Sequence, residues 1–257
     1  MATAPESRLV PPRASSLVES MRDVGYSLDS ALADIIDNSI SAGAKTVGMF
    51  ASASSPRRLA VVDDGRGLTE DELVEAMRLG TKHPREVRAA DDLGRFGLGL
   101  KTASFSQCRR LTVASRCAGV FVAACWDLDE IEASDSWALH LIRSHADVPF
   151  SDKLQGNGTL VLWERMDRVP GAESGAANLF NEALDEARAR LGLVFHRFLA
   201  PERRTDRVKL DLNGTPIEAF DPFNANHPST QRHDIDTIPV NGMSVTITPY
   251  TLPHHRN

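Results

Sequence analysis

The chain has 257 residues, 42% of them hydrophobic and 25% charged, a balance that suits a globular protein with one large domain, alone or with an appendage. Its 29 Lys and Arg against 35 Asp and Glu give a net charge of −6, which argues against a surface built throughout for nucleic acid and leaves only a local basic patch open. No apolar run approaches the roughly 20 residues of a membrane span, and the opening residues lack the apolar centre of a secretory signal, so a cytoplasmic protein without a membrane partner is expected.

Residues 1–17 are rich in Pro, Ala and Ser and are expected to form a loose, flexible arm. A helix is predicted from Leu28 to Ala42, with Ser27 or Asp29 placed to cap it and Gly43 placed to end it. Short strands follow from Lys45 to Phe50 and from Arg58 to Val62. Thr69 with Glu72 makes a capping box, so a helix is predicted over Thr69–Leu79. Residues 80–96 are charged and without period, hence a loop, and a helix begins near Gly99. Four strands come next, at Leu111–Ala114, Val120–Trp126, Trp137–Ile142 and Thr159–Trp163. Cys108, Cys117 and Cys125 lie across this stretch without C-x-x-C spacing, so neither a disulfide scaffold nor a structural zinc site is expected. A long helix over Ala172–Leu199 closes the unit. Beyond Pro201 come Val208–Leu212, an Asn213-Gly214 turn, a segment at Pro216–Phe220 and a strand at Ser244–Thr248. Residues 201–257 are too thin to bury a core alone and are expected to begin a second domain that they do not complete.

Three constellations carry chemistry. On the first helix, Ser30, Asp34, Asn38 and Ser41 fall on one face. Such a stripe on an otherwise apolar helix is either a solvated edge or the floor of a wet pocket. In a pocket, a carboxylate and an amide one turn apart can activate water and hold a metal ion. The second is Val61-Val62-Asp63-Asp64-Gly65-Arg66-Gly67, an apolar strand running into a glycine turn. Many strands end on such a turn. Functionally, Asp63 could accept a hydrogen bond from an amine such as that of adenine, with Gly65 and Gly67 letting a flat ring approach. The third is Gly94-Arg95-Phe96-Gly97-Leu98-Gly99-Leu100-Lys101-Thr102, a glycine-rich loop opening a helix, which is either a surface loop or a phosphate cradle. It is not a P-loop, because Leu100 occupies the lysine position. Nor is it a dinucleotide fingerprint, because Thr102 stands where the last glycine belongs.

Together, in this order, the motifs resemble the GHKL superfamily of ATPases, which includes DNA gyrase B, the ninety-kilodalton heat-shock chaperones, histidine kinases and MutL. Asp34-Ile35-Ile36-Asp37-Asn38 looks like the family's helix motif, Asp63 to Gly67 its adenine motif and Gly94 to Lys101 its lid motif. Gly158-Thr159 fits the family's late threonine. The resemblance covers about residues 18–200, and within the superfamily the MORC-like branch and its prokaryotic relatives look nearest. It implies a two-layer α/β sandwich of the GHKL (Bergerat) type, with a mixed, mainly antiparallel sheet and helices on one face, followed by the start of a second domain.

The resemblance also implies ATP and Mg²⁺ as ligands and an ATP-dependent homodimer. Asn38 would coordinate Mg²⁺. Asp63 would read adenine with Thr159 assisting, beside Gly65 and Gly67. Gly94, Gly97, Gly99, Leu100 and Lys101 would cradle phosphate, with residues 80–100 as a lid and Lys82 as its lysine. Asp34 would be the general base, although the family usually carries Glu there; the carboxylate is thus withdrawn by one carbon–carbon bond, roughly 1.5 Å. Ser41 stands where many relatives carry Asp.

The expected function is therefore Mg-dependent ATP hydrolysis, slow in this chain, with lid closure and dimerisation coupled to conformational change. After Lys153 only Lys209 remains as a lysine, so a second-domain lysine for the γ-phosphate is not expected here. The alternatives are a non-hydrolysing ATP sensor and a histidine-kinase catalytic domain. Against the latter, His196 sits among apolar residues and is read as helix packing. Nucleic acid stays open as a partner that the sequence does not show; the Arg203, Arg204 and Arg207 cluster could touch it but is read as a solvated loop.

Overall fold

The computed structural model describes residues 8, 10, 12–80, 99–172, 177–201, 204–240 and 242–253. Helix α1 (Ala14–Arg22) begins inside the stretch read as a loose arm. Its first N–H groups would be orphaned; Asp135 instead accepts from the Ser15 backbone N at 3.0 Å and its hydroxyl at 2.9 Å. Helix α2 (Leu28–Ser41) matches its predicted span to one residue and ends before Gly43, which has φ +83°. Strands β1 (Thr46–Ser52) and β2 (Arg58–Asp63) form an antiparallel pair, and α3 (Glu70–Met77) starts on the Thr69–Glu72 capping box.

After the undescribed residues 81–98 comes α4 (Gly99–Phe105), then β3 (Arg110–Cys117) and β4 (Val120–Asp127) as an antiparallel pair. The short α5 (Leu128–Ser134), β5 (His140–Ile142) and β6 (Gly158–Glu164) follow. The helix predicted over residues 172–199 is two helices, α6 (Ala177–Val194) and α7 (His196–Leu199), meeting at buried Phe195. Strands β7 (Lys209–Leu212) and β8 (Thr215–Pro216) come next. They are followed by β9 (Gln231–Arg232), β10 (Asp236–Val240), β11 (Met243–Ile247) and β12 (Tyr250–Thr251).

The main sheet runs β5-β4-β3-β6-β2-β1-β7-β8. Every neighbouring pair is antiparallel except β1 with β7, which is parallel. The sheet therefore extends past residue 201, where the second unit was expected to begin. Strand alternation explains its layering. Leu59, Val61, Leu111, Val113, Val161 and Trp163 share one core with Leu32, Ile35 and Ile36 of α2, Phe105 of α4 and Phe180 of α6. The intervening Ala60, Val62, Ala114, Leu160 and Leu162 form a second core with Val148 and Leu154. That second face is covered by residues 145–154, which carry two short 3₁₀ turns. The arrangement is the expected two-layer α/β sandwich with a mixed, mainly antiparallel sheet. Among the described residues, no helix is long and apolar enough to cross a membrane.

Candidate nucleotide site

Parity along the strands sets the site. Asp63 follows Leu59 and Val61 at a spacing of two, so it shares their helix-side face; Thr159 precedes Val161 and Trp163, and Ser115 follows Leu111 and Val113, in the same way. Val62 pairs with Leu160, which puts Asp63 next to Thr159, and Thr159 pairs with Ser115. The three strands thus share a polar row, Asp63–Thr159–Ser115, whose Asp63 end meets Ser39 of α2.

Every contact in this row is specific. Asp63 is only 7% exposed. Its Oδ1 accepts from the backbone N of Gly65 at 2.9 Å and of Thr159 at 3.1 Å, and its Oδ2 accepts from the Ser39 hydroxyl at 2.9 Å. Burial pushes its carboxyl above the usual aspartate range, and those three hydrogen bonds pull the other way. Ser115 donates to the Gly158 carbonyl at 2.6 Å, accepts from the Leu68 backbone N at 2.8 Å, and lies 3.2 Å from the Thr159 hydroxyl. Asp64 takes a different part, accepting from the backbone N of Lys45 and Thr46 and so pinning the turn to β1.

The glycines answer to the protein's own packing. A Cβ on Gly65 would stand 2.9 Å from Asp63 Oδ1 and 3.1 Å from Ala42. Gly67 has φ +74°, and a Cβ there would lie 2.1 Å from the Arg116 carbonyl oxygen. Close packing against Asp63, Ala42 and the Arg116 backbone is therefore by itself a sufficient reason for glycine at both positions.

Asp34 and Asp37 are half-buried on α2, while Asn38 is exposed. The polar stripe is therefore part floor and part edge. Asp34 Oδ2 accepts from the Tyr26 hydroxyl at 2.8 Å. A Cβ on Gly99 would stand 3.3 Å from that same oxygen, so the start of α4 lies against Asp34. Burial and the neighbouring charge of Asp34 raise the Asp37 carboxyl. Leu100 is half-buried and packs on the main core. Lys101 is buried and donates to the Ala76 carbonyl at 2.8 Å; burial lowers its ammonium from 10.5 to about 8. Lys82, Gly94 and Gly97 lie outside the described residues.

The structure thus sets Gly99 against Asp34 midway along α2, while Leu100 turns to the core and Lys101 to the end of α3, and it brings Asp63, Gly65, Gly67 and Thr159 together where Ser39 of α2 meets Asp63. Reasoning from sequence missed Tyr26, Ser39 and Ser115 as partners. Ser115 carried a usable signal, since it ends an apolar strand at the same parity as Asp63; Tyr26 carried none.

These residues suit a nucleotide. Asp63 is a buried acceptor-only carboxylate with lone-pair capacity left on Oδ2. Among the described residues no group of three His, Cys, Asp or Glu gathers as a metal cage. The oxygen of the exposed Asn38 amide fits a hard cation held mainly by phosphates and water.

Residues 26–158 match the family described as histidine kinase-, DNA gyrase B- and HSP90-like ATPase. The DNA mismatch repair protein MutL of Pseudomonas paraeruginosa is 31% identical over 122 residues, 46% of this chain and 19% of that protein. The ATPase morc-1 of Caenorhabditis elegans is 28% identical over 95 residues, 37% of this chain and 11% of that protein. MutL of Halobacterium salinarum is 33% identical over 89 residues, covering 34% and 14%. The chain thus matches less than a fifth of the length of these relatives.

Proposed function

Because the chain belongs to the histidine kinase-, DNA gyrase B- and HSP90-like ATPases, we propose that it binds Mg-ATP and hydrolyses it to ADP and phosphate. The observation that carries this reading is the buried Asp63 carboxylate, fixed at a strand end by Gly65, Thr159 and Ser39. A carboxylate held there accepts the adenine amine.

Asn38 offers its amide oxygen to Mg²⁺, which neutralises phosphate charge when bound. Gly99, Leu100 and Lys101, with Gly94, Gly97 and Lys82 on the preceding segment, serve the phosphates. Asp34 takes the proton from the attacking water. Closure of residues 80–100 over the nucleotide, ATP-dependent dimerisation and a cytoplasmic location belong to the same proposal. So does the division into an arm (1–17), an ATP-binding domain (18–200) and the start of a second unit from residue 201, with β7 and β8 joining the two.

A second reading, the non-hydrolysing sensor, is favoured by one observation: the short Asp34 side chain has one oxygen already engaged by Tyr26. Phosphate release and calorimetric ATP binding, measured on the wild type and on Asp34→Asn, separate the two. The ATPase reading expects release in the wild type, its loss in the variant and retained or tighter binding, because the amide takes no proton and repels phosphate less. Binding without release in the wild type selects the sensor. Undiminished release from the variant removes Asp34 as base and turns attention to Asp37.

A further inference from the structure

We propose that Tyr26, on the premise that Asp34 is the general base, is a positioning residue that fixes which oxygen of the Asp34 carboxylate takes the proton. Tyr26 lies two residues before α2, and its half-buried ring packs on the main core. Its hydroxyl donates to Asp34 Oδ2 at 2.8 Å. The Thr102 side chain hydrogen-bonds the same phenol, so the phenol bridges α2 and α4. The backbone is anchored as well: the Tyr26 carbonyl accepts from Nε2 of buried Gln107 at 3.1 Å, just beyond the end of α4. Gly99, at the start of the same helix, stands against Asp34 Oδ2. Tyr26 is thus held at both ends by the segment that carries Gly99 and Lys101.

A carboxylate on a single methylene turns readily about its last torsion, whose preference is broad and two-fold. A hydrogen bond from a fixed phenol removes that freedom and holds Oδ2. Among the described residues Asp34 Oδ1 takes no hydrogen bond, which leaves it as the oxygen for water. The phenol registers the contact in turn. Burial first, and then the hydrogen bond and charge of Asp34, raise the Tyr26 hydroxyl above its usual 10.0, with Thr102 opposing.

Tyr26→Phe removes the oxygen alone and keeps the packed ring. The expected result is a kcat lower by about tenfold to a hundredfold, an ATP KM within about twofold of wild type, and no further loss when Asp34→Asn is already present. A readout independent of turnover uses the two tyrosines of the chain. Phenolate absorbance should show one tyrosine titrating late, and Asp34→Asn should bring that titration earlier. A folded Tyr26→Phe protein with wild-type kcat, while Asp34→Asn is inactive, overturns the positioning role alone. An active Asp34→Asn overturns the premise that Asp34 is the base. A phenolate titration unmoved by Asp34→Asn overturns the contact itself, whatever the turnover.

Discussion

The ammonium of Lys101 lies 2.8 Å from the carbonyl oxygen of Ala76, in the last turn of α3. The next carbonyl, that of Met77, accepts from Trp126 Nε1 at 3.0 Å. The final carbonyls of a helix have no partner within it, and here two of them are met by buried donors from α4 and β4. The lysine that the family resemblance assigns to phosphate is thus also the tie between α3 and α4, on either side of residues 81–98.

Lys101→Met should therefore show a stability difference that depends on pH. Burial holds the folded ammonium at about 8, below its usual 10.5. Below pH 8 both folded and unfolded chains are charged, and the burial penalty is fully present. Between pH 8 and 10.5 only the unfolded chain keeps the proton, so the wild type gains stability as pH rises through that window. The penalty is on the order of 3 kcal/mol, similar to the cost of leaving the Ala76 carbonyl unpaired, about 1–3 kcal/mol. Urea denaturation should find the variant near wild type at pH 7 and clearly less stable at pH 9.5. A difference independent of pH would refute the buried charge.

Gly67 and Gly158 should resist substitution far more than Gly80, although all three have positive φ. A Cβ on Gly67 would meet the Arg116 carbonyl oxygen at 2.1 Å, and one on Gly158 would meet the Asp63 carbonyl oxygen at 2.0 Å, whereas one on Gly80 would meet nothing within 4 Å among the described residues. Backbone must move in the first two cases. We expect Gly67→Ala and Gly158→Ala to lose about 3 kcal/mol or more, against about 1 kcal/mol for Gly80→Ala. Equal urea midpoints for the three variants would show that backbone conformation alone sets the cost.

The elements legible in the sequence are those whose cause is local. The Thr69–Glu72 capping box, the apolar run into Asp63 and the glycine after α2 each sit within a few residues of what they determine. Helix α1 was illegible because its partners are remote: Ser15 bonds Asp135, and buried Arg22 pairs with Asp167 at 2.6 Å. The break at Phe195 was hidden because α6 and α7 continue one helical pattern. Within the site, Asp34, Asn38 and Asp63 were visible as motif residues. Their partners Tyr26 and Ser39 were not, and Ser115, although its strand parity matches that of Asp63, meets Thr159 only through the register of β3 on β6.

Asp37→Asn should stabilise the protein slightly at neutral pH. Burial and the charge of Asp34 raise the folded Asp37 carboxyl above its usual 3.8, so its charged form is disfavoured by folding. The gain from removing that charge is present above the folded value. It disappears as pH falls through that value and then below 3.8, where both states are protonated. Asp37 is only half-buried, and solvent screening limits the effect to a few tenths of a kcal/mol, about 1 °C in Tm. A lower Tm at pH 7, or a gain that persists at pH 3, would contradict this account.

Asp63→Asn should separate recognition from folding. The asparagine oxygen can keep the place of Oδ1 and accept from the Gly65 and Thr159 backbone N–H groups. Its amide nitrogen then replaces Oδ2 opposite Ser39, whose hydroxyl can accept while turning its own proton toward the Ile35 carbonyl, already 3.3 Å away. The Gly65 and Thr159 N–H groups and the Ser39 hydroxyl stay paired, and burial already disfavours the charge that is lost. The fold should therefore survive with a Tm close to wild type. An amine arriving from adenine would now meet a donor where the carboxylate offered an acceptor. Losing that hydrogen bond and leaving polar groups facing one another should cost roughly 2–3 kcal/mol, about 30-fold or more in affinity. Calorimetry on the folded variant decides it: affinity unchanged from wild type would show that Asp63 holds the turn and does not read the base.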